Sequence, residues 1–437
     1  MSLSLHRNSH LLNFHHNTQH HLDLETFLSK IISLNKISKE ARNIILANNV
    51  YFLGLGLGEF FLNVFLIRQA DNFSQVVIFN LVQFPAIFLG FLIGAFTPIP
   101  FKAKQFLQIG IGLGIISFLA LIMLQAAVIR YVIPLGILYG LGTGFYWAGN
   151  YLLSYVNTTD KNRDSYYGLN FSISSTLSVV IPLISGLIIS QKFFTDSVII
   201  NYYLLFLITI IILIISSFYT ANLPNFTIPK VKPQKLLAPF KLKIWRLVGL
   251  STFMEGIKAG SEGFIASLLL FTILTQELDM GLYQSVFSLL GAVVGLIIAK
   301  KLHSQGRVPA IILGGGLFII AHLAFINFFS VQGILISMLI LLIASPLYNI
   351  AISSVFFDIL DHTKNHQQDM NEYLLFKELF SLLGCFVGAL IFLIFLRFGG
   401  ALEAAKAWYL FLGFIPISYG IIIYFIKKQL NHLAVGR

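Results

Sequence analysis

Charge is what this sequence has least of. Only 11% of its 437 residues are Asp, Glu, Lys or Arg, whereas a soluble globular chain is nearer a quarter charged. That scarcity excludes a hydrated surface wrapped around one soluble core. Cysteine is scarcer still. Cys385 stands alone, so no disulfide can close within the chain, and its apolar surroundings read as those of a small packed hydrophobe. Acids number 18 against 29 Lys and Arg, for a formal charge of +11. Such a balance could suggest nucleic acid, but in so apolar a chain the placement of the basic residues says more than their sum. We expect no nucleic-acid partner and no cofactor. No nucleophile–base set or metal-ligand spacing occurs at one depth, so no enzyme is expected either.

What the chain has in abundance is hydrophobic residues, 57% of the total, with a mean hydropathy of +0.83. A helix rises 1.5 Å per residue, so about 20 apolar residues cross ~30 Å of hydrocarbon. By that measure we predict spans at 43–67, 74–96, 106–127, 131–155, 169–190, 199–221, 247–275, 281–299, 309–329, 333–357, 373–396 and 407–426. The expected fold is therefore an all-α membrane protein of twelve transmembrane helices in two six-helix bundles. No small-residue cleavage site follows an early apolar stretch, so the first span is expected to serve as the signal.

The basic residues orient the chain. On the side carrying the tails they number 22; on the other side only Arg68, Arg130, Lys192, Arg397 and Lys406 occur. The positive-inside rule then puts both termini in the cytoplasm. We divide the chain into a cytoplasmic tail and amphipathic helix (1–42), a first bundle (43–221), a basic linker without acids (222–246), a second bundle (247–426) and a C-terminal tail (427–437). The linker should lie near anionic headgroups, and membrane lipids are the surrounding partners of a monomer. Six histidines crowd the first 21 residues, without ligand spacing or an acid partner, and read as a polar tail rather than a metal site. Ser38 is a candidate N-cap for the helix entering the first span. Glycines four apart recur: 54 and 58, 90 and 94, 110 and 114, 140 and 144, 291 and 295, 384 and 388. In lipid they let helix backbones approach.

Against this background a few ionisable residues stand out inside the spans: Glu59 in span 1, Glu255, Lys258 and Glu262 in span 7, and Lys377 with Glu378 in span 11. A central charge costs about 2.5–3.5 kcal/mol by insertion scales and normally faces the bundle interior or a wet cavity. Glu255, Lys258 and Glu262 are three and four apart, hence on one helix face, and within about 8 Å of the span's midpoint. Two acids beside one base leave one surplus negative charge, which must find a cation, a proton or a partner on another helix. We therefore expect Glu59, Glu255, Lys258 and Glu262 to bind substrate and a coupling proton or cation. Polar aromatic residues gather in span 4 (Tyr146, Trp147, Asn150) and span 10 (Tyr348, Asn349), and are candidates to line the same site. Arg163, Lys377 and Glu378, near the basic side, are candidate gate residues. His322 in span 9 reads as a hydrogen-bonded structural histidine. The acids and histidines of DILDHTKNHQQD (358–369) read as a solvated connector.

Several stretches carry a resemblance: short basic loops after spans 2 and 8, GLGTGFYWAGNYLLSY in span 4, DSYYGLNFSISSTLSVVIPLISGLI after Arg163, and NEYLLFKELFSLLGC in span 11. Over roughly residues 43–430 the chain is similar to an uncharacterised bacterial branch of the major facilitator superfamily. In the loop signature Gly94 and Lys102 are kept, with Pro98 at the acidic position; its second copy keeps Gly295 and Lys300, with Ala299 at that position. The resemblance implies a secondary active transporter of the bacterial inner membrane, with spans 1, 4, 7 and 10 around a central cavity. Movement of a lipid or lipid-linked amphiphile, and a non-transporting receptor or assembly partner, are the alternatives.

Overall fold

The computed structural model describes residues 38–70, 72–96, 103–157, 163–191, 197–225, 238–361 and 366–435. The histidine-bearing tail, its amphipathic stretch and residues 226–237 of the basic linker lie outside the described residues. Among the described residues all regular structure is helical. Span 1 runs Lys39–Phe60 and, after a break at Phe61, Leu62–Gln69. Span 2 is Ser74–Phe96, span 3 Ala103–Leu124, span 4 Val132–Val156, span 5 Arg163–Ser190 and span 6 Val198–Ala221. Span 7 is Lys243–Leu274, span 8 Glu277–Lys301, span 9 Arg307–Asn327, span 10 Val331–Asp361 and span 11 His366–Phe395. Span 12 is broken, as Ala401–Leu412 and Ile415–Val435. Ser38 caps the first helix as expected, its hydroxyl accepting from the Ala41 amide at 3.2 Å.

Among the described residues eleven continuous stretches are long and apolar enough to cross a bilayer, one of them the 49 residues Ala103–Tyr151. That stretch folds back on itself. Gly110 lies against Gly142 and Tyr146, and Gly149 against Ala103 and Leu107, so spans 3 and 4 are antiparallel and the crossings among the described residues number twelve. The reversal is a 3-10 segment, Gln125–Tyr131, entered through Gln125 at φ 50°. The chain is a multi-pass helical membrane protein.

Small residues set the closest helix contacts. A methyl group on Gly144 would overlap the Ile87 carbonyl of span 2, and one on Gly384 would overlap the Phe253 carbonyl of span 7. Backbones meet there because no side chain intervenes. The expectation fails for one of the two such pairs in the second half: beyond Gly291 and Gly295 the nearest atoms belong to Leu342 at 3.8 Å and Pro346 at 3.5 Å, an ordinary contact distance.

Six spans fall on each side of residues 222–242. Spans 2 and 11, and spans 5 and 8, pack across the two halves. Their meeting points lie at one face of the molecule, which holds the end of span 1 and the starts of spans 2, 6 and 8. The Arg68 Nε donates to Glu277 Oε1 at 2.6 Å, the Tyr202 hydroxyl donates to the same oxygen at 2.9 Å, and the Arg68 guanidinium sits 4.7 Å from the Phe271 ring centre. Phe73 meets Phe264 and Phe392, while the backbones of Gly281 and Pro182 touch. The buried core is continuous between the halves at this face. Toward the opposite face the second half keeps a separate core around Trp245, Tyr348 and Tyr419. The halves are thus joined at one end of the molecule.

Candidate functional site

Span 7 brings the three ionisable groups onto one side, as the spacing required. The Lys258 ammonium donates to Glu262 Oε2 one turn on, and lies 4.8 Å from the centre of the Phe318 ring in span 9. Glu255 Oε2 accepts from the Tyr348 hydroxyl of span 10 at 2.7 Å. The second Glu262 oxygen faces His322 Nε2 of span 9 at 3.7 Å. Span 11 covers the Gly256–Gly260 side of the helix through Ser381 and Cys385. Span 12 covers Ser261, whose hydroxyl accepts from Trp408 Nε1 at 3.0 Å.

One side of span 7 stays open. Ala259 and Gly263 are exposed, nothing lies within 4 Å of where a Cβ on Gly263 would stand, and the Glu262 side chain is 28% exposed against 10% for Lys258. The acid–base–acid face is therefore not sealed. It borders open space through Glu262, while Lys258 and Glu255 are held from behind by aromatic residues of spans 9 and 10.

The first half presents a different chemistry. Glu59 is exposed and sits two residues before the helix break at Phe61, where the regular backbone ladder is interrupted. Its charge acts on the buried hydroxyls of Tyr51, in the same span, and of Tyr139, in span 4. Among the described residues no hydrogen bond or ion pair joins Glu59 to the span 7 cluster. Two turns before Glu59, Tyr51 stacks on Tyr146, ring centres 3.3 Å apart and planes 11° from parallel.

Tyr146 and Asn150 share a side of span 4, as their spacing requires, but that side is buried. The Tyr146 hydroxyl donates to Asn48 Oδ1 at 3.0 Å, and an amide chain continues behind it. Asn48 and Asn49 both donate to Asn170 Oδ1 of span 5, at 3.2 and 3.0 Å, and Ser174 donates to Asn49 Oδ1 at 3.2 Å. Tyr348 is likewise fully buried. Both tyrosines thus stand behind the surface they were expected to line. Trp147 is half-buried beside Phe52, and Asn349 is exposed, donating to Ser345 Oγ at 3.0 Å. The asparagine network went unnoticed in the sequence, although Asn48–Asn49 inside an apolar run was a visible signal.

Among the described residues, the expected gate residues Lys377 and Glu378 form no ion pair across the halves. Lys377 pairs with its neighbour Glu378 at 3.0 Å and stands 5.6 Å from the Phe356 ring centre, all within the second half. The Arg163 side chain lies outside the described residues, as do those of Asp358, Asp361, His362, His366 and Asp369. A charged contact that does join the halves, Arg68 with Glu277, is at the opposite face; Arg68 was read as a loop charge, and Glu277 was not singled out. Among the described residues no group of three or more His, Cys, Asp or Glu is placed to hold a metal ion.

Comparison with known proteins adds the ancestry. A sequence model described as Major Facilitator Superfamily matches residues 44–371. The uncharacterized protein YqgE of Bacillus subtilis (strain 168) is 22% identical over 408 residues, 92% of this chain and 92% of its own length. Among solved structures, the nucleoside transporter NupG superposes with a TM-score of 0.66 at 11% identity, over 90% of this chain and all of its own. A bacterial homologue of the iron transporter ferroportin, captured in an inward-facing state, gives 0.62 at 13% identity over 87% of this chain and 98% of its own. Identities this low speak for the fold alone.

Proposed function

Because the chain belongs to the Major Facilitator Superfamily, we propose that it is a secondary active transporter, moving a small molecule across the bacterial inner membrane by alternating access with coupling to protons or another cation. The two halves, 43–221 and 247–426, rock against each other, with both termini in the cytoplasm. Since the positive-inside bias puts the joined face outside, the described arrangement is the inward-facing one. The observation that carries the reading is the open acid–base–acid side of span 7. Three ionisable groups in mid-membrane cost several kcal/mol, and such groups characteristically mark substrate or ion pathways.

Glu59 from one half and Glu255 with Glu262 from the other supply charge recognition and coupling. Lys258 holds Glu262 or meets an anionic group of the substrate. Trp147 and Asn349 border the cavity, with Asn150 on the buried side of span 4 beside Tyr146. Tyr146 and Tyr348 act from behind, fixing span 1 and Glu255. The test uses the full chain in proteoliposomes under an imposed pH gradient, with charge movement recorded while nucleosides, divalent metal ions and small organic cations are supplied in turn. We expect one probe class to give a current that falls at least tenfold in Glu255→Gln and Glu262→Gln proteins. Unchanged transport in both variants overturns the assignment.

A further inference from the structure

His322 is the residue whose surroundings the transport reading leaves unexplained. It is fully buried, at 0% exposure, five residues before the end of span 9. Its Nδ1 lies 2.7 Å from the Phe318 carbonyl oxygen. A carbonyl can only accept, so Nδ1 carries the hydrogen and the neutral ring presents a bare lone pair at Nε2. That Nε2 is buried with no hydrogen-bond partner, and the group it faces is Glu262 Oε1 at 3.7 Å. A lone pair directed at a carboxylate is a poor contact. One proton on Nε2 turns it into a charge-assisted hydrogen bond.

The neighbouring elements are arranged for that event. Tyr409 of span 12 stacks on the imidazole with ring centres 4.2 Å apart. One turn later span 12 breaks, and Gly413 lies against the ring: a methyl group there would come within 3.0 Å of His322 Cβ and Cγ. From span 7 the ring meets Glu262 and, through it, Lys258. From span 10, Tyr348 touches Phe318 edge-on and carries the bond to Glu255. Lys258 also rests on the Phe318 ring, so its ammonium keeps a seat when Glu262 turns to another partner.

We infer that His322 is the seat of the coupling proton, and that Glu262 is shared alternately between Lys258 and protonated His322. The charges support one proton and no more. With His322 neutral, Glu255, Lys258 and Glu262 leave a net charge of one negative, the surplus noticed in the sequence. Protonation of Nε2 cancels it. A neutral cluster can be enclosed by the moving halves at little electrostatic cost, whereas an uncompensated charge cannot. The negative form is the one suited to attract a cation from the open side at Gly263. The inference deepens the transport reading and rests on it for its purpose, but its measurement needs no substrate.

The experiment counts protons. The purified full-length protein is moved between pH 8 and pH 5 in weakly buffered detergent solution containing a pH-indicator dye, and infrared difference spectra are recorded in parallel. His322→Asn removes the titrating nitrogen while its side-chain amide can still donate to the Phe318 carbonyl. We expect this variant to take up one proton fewer per molecule than the native chain and to lose one histidine-ring component from the difference spectrum. Glu262→Gln is expected to lose the same component, and Glu255→Gln to keep it. Should His322→Asn unfold, the spectra of the Glu262→Gln protein decide alone. Equal proton uptake by folded His322→Asn and native protein overturns the inference, as does a histidine component that persists in Glu262→Gln. Either result leaves the flux experiment standing, and loss of flux control by the carboxylates leaves the proton count standing.

Discussion

A single hydrogen bond shows how much a residue can matter in this protein. Glu255 Oε2 accepts from Tyr348, a side chain only 1% exposed. Removing a donor from this half-buried carboxylate leaves the oxygen short of a partner, a loss of about 1–3 kcal/mol where no water replaces it, whereas an ordinary interhelical hydrogen bond in lipid averages about 0.6 kcal/mol. Tyr348→Phe should therefore lower stability by about 1–2 kcal/mol, clearly more than the average pair. Reversible unfolding in mixed micelles at pH 7.5 reads this directly; a loss below about 0.5 kcal/mol shows that Glu255 finds water or another partner. Tyr348, expected to line the site, stands buried behind it. Its neighbour Asn349 points about 100° away around the helix, and nothing local says which of the two faces the cluster.

At the scale of an element, equal spacing does not mean equal contact. Gly384 in span 11 lies directly on the Phe253 carbonyl, while Gly291 in span 8 has only Leu342 at 3.8 Å. Adding side-chain volume where backbones touch forces the helices apart and costs about 1–3 kcal/mol. Adding a methyl where there is room recovers helix propensity, up to about 1 kcal/mol. Gly384→Val should accordingly lower the thermal midpoint and the folded yield, and Gly291→Ala should leave both unchanged or slightly raised. If the two variants behave alike, spans 7 and 11 are not in backbone contact. The breaks in spans 1 and 12 are element-level features with a functional position, falling beside Glu59 and His322 respectively.

For the whole molecule the decisive contact is Arg68 with Glu277, joined by Tyr202. Glu277 is nearly sealed, with its side chain 5% exposed against 26% for Arg68. Removing the arginine leaves a buried acid with one hydroxyl for company. Breaking such a pair costs about 3–5 kcal/mol, while inverting a two-state population from 1:99 to 99:1 needs about 5.5 kcal/mol. Arg68→Ala should therefore populate, though not fully impose, an arrangement parted at this face. Spin labels at Asn72 and Phe398, both exposed near the junction, would report a longer distance component in the variant. An unaltered distribution would mean that the apolar contacts of Phe73 with Phe264 and Phe392 hold the face closed without the ion pair.

Twelve crossings, the antiparallel order and the grouping of Glu255, Lys258 and Glu262 on one side of span 7 were legible in the chain itself. Each depends on a local quantity: the rise of a helix against the thickness of hydrocarbon, and a period of 3.6 residues. Only the folded arrangement decided which remote side chains these groups meet. That Glu262 stands between Lys258 and His322, that Tyr146 turns inward to Asn48, and that a lone arginine at the end of span 1 finds Glu277 all follow from how helix surfaces interlock. Those meetings join residues up to 209 positions apart, and helix periodicity carries no information over such a distance.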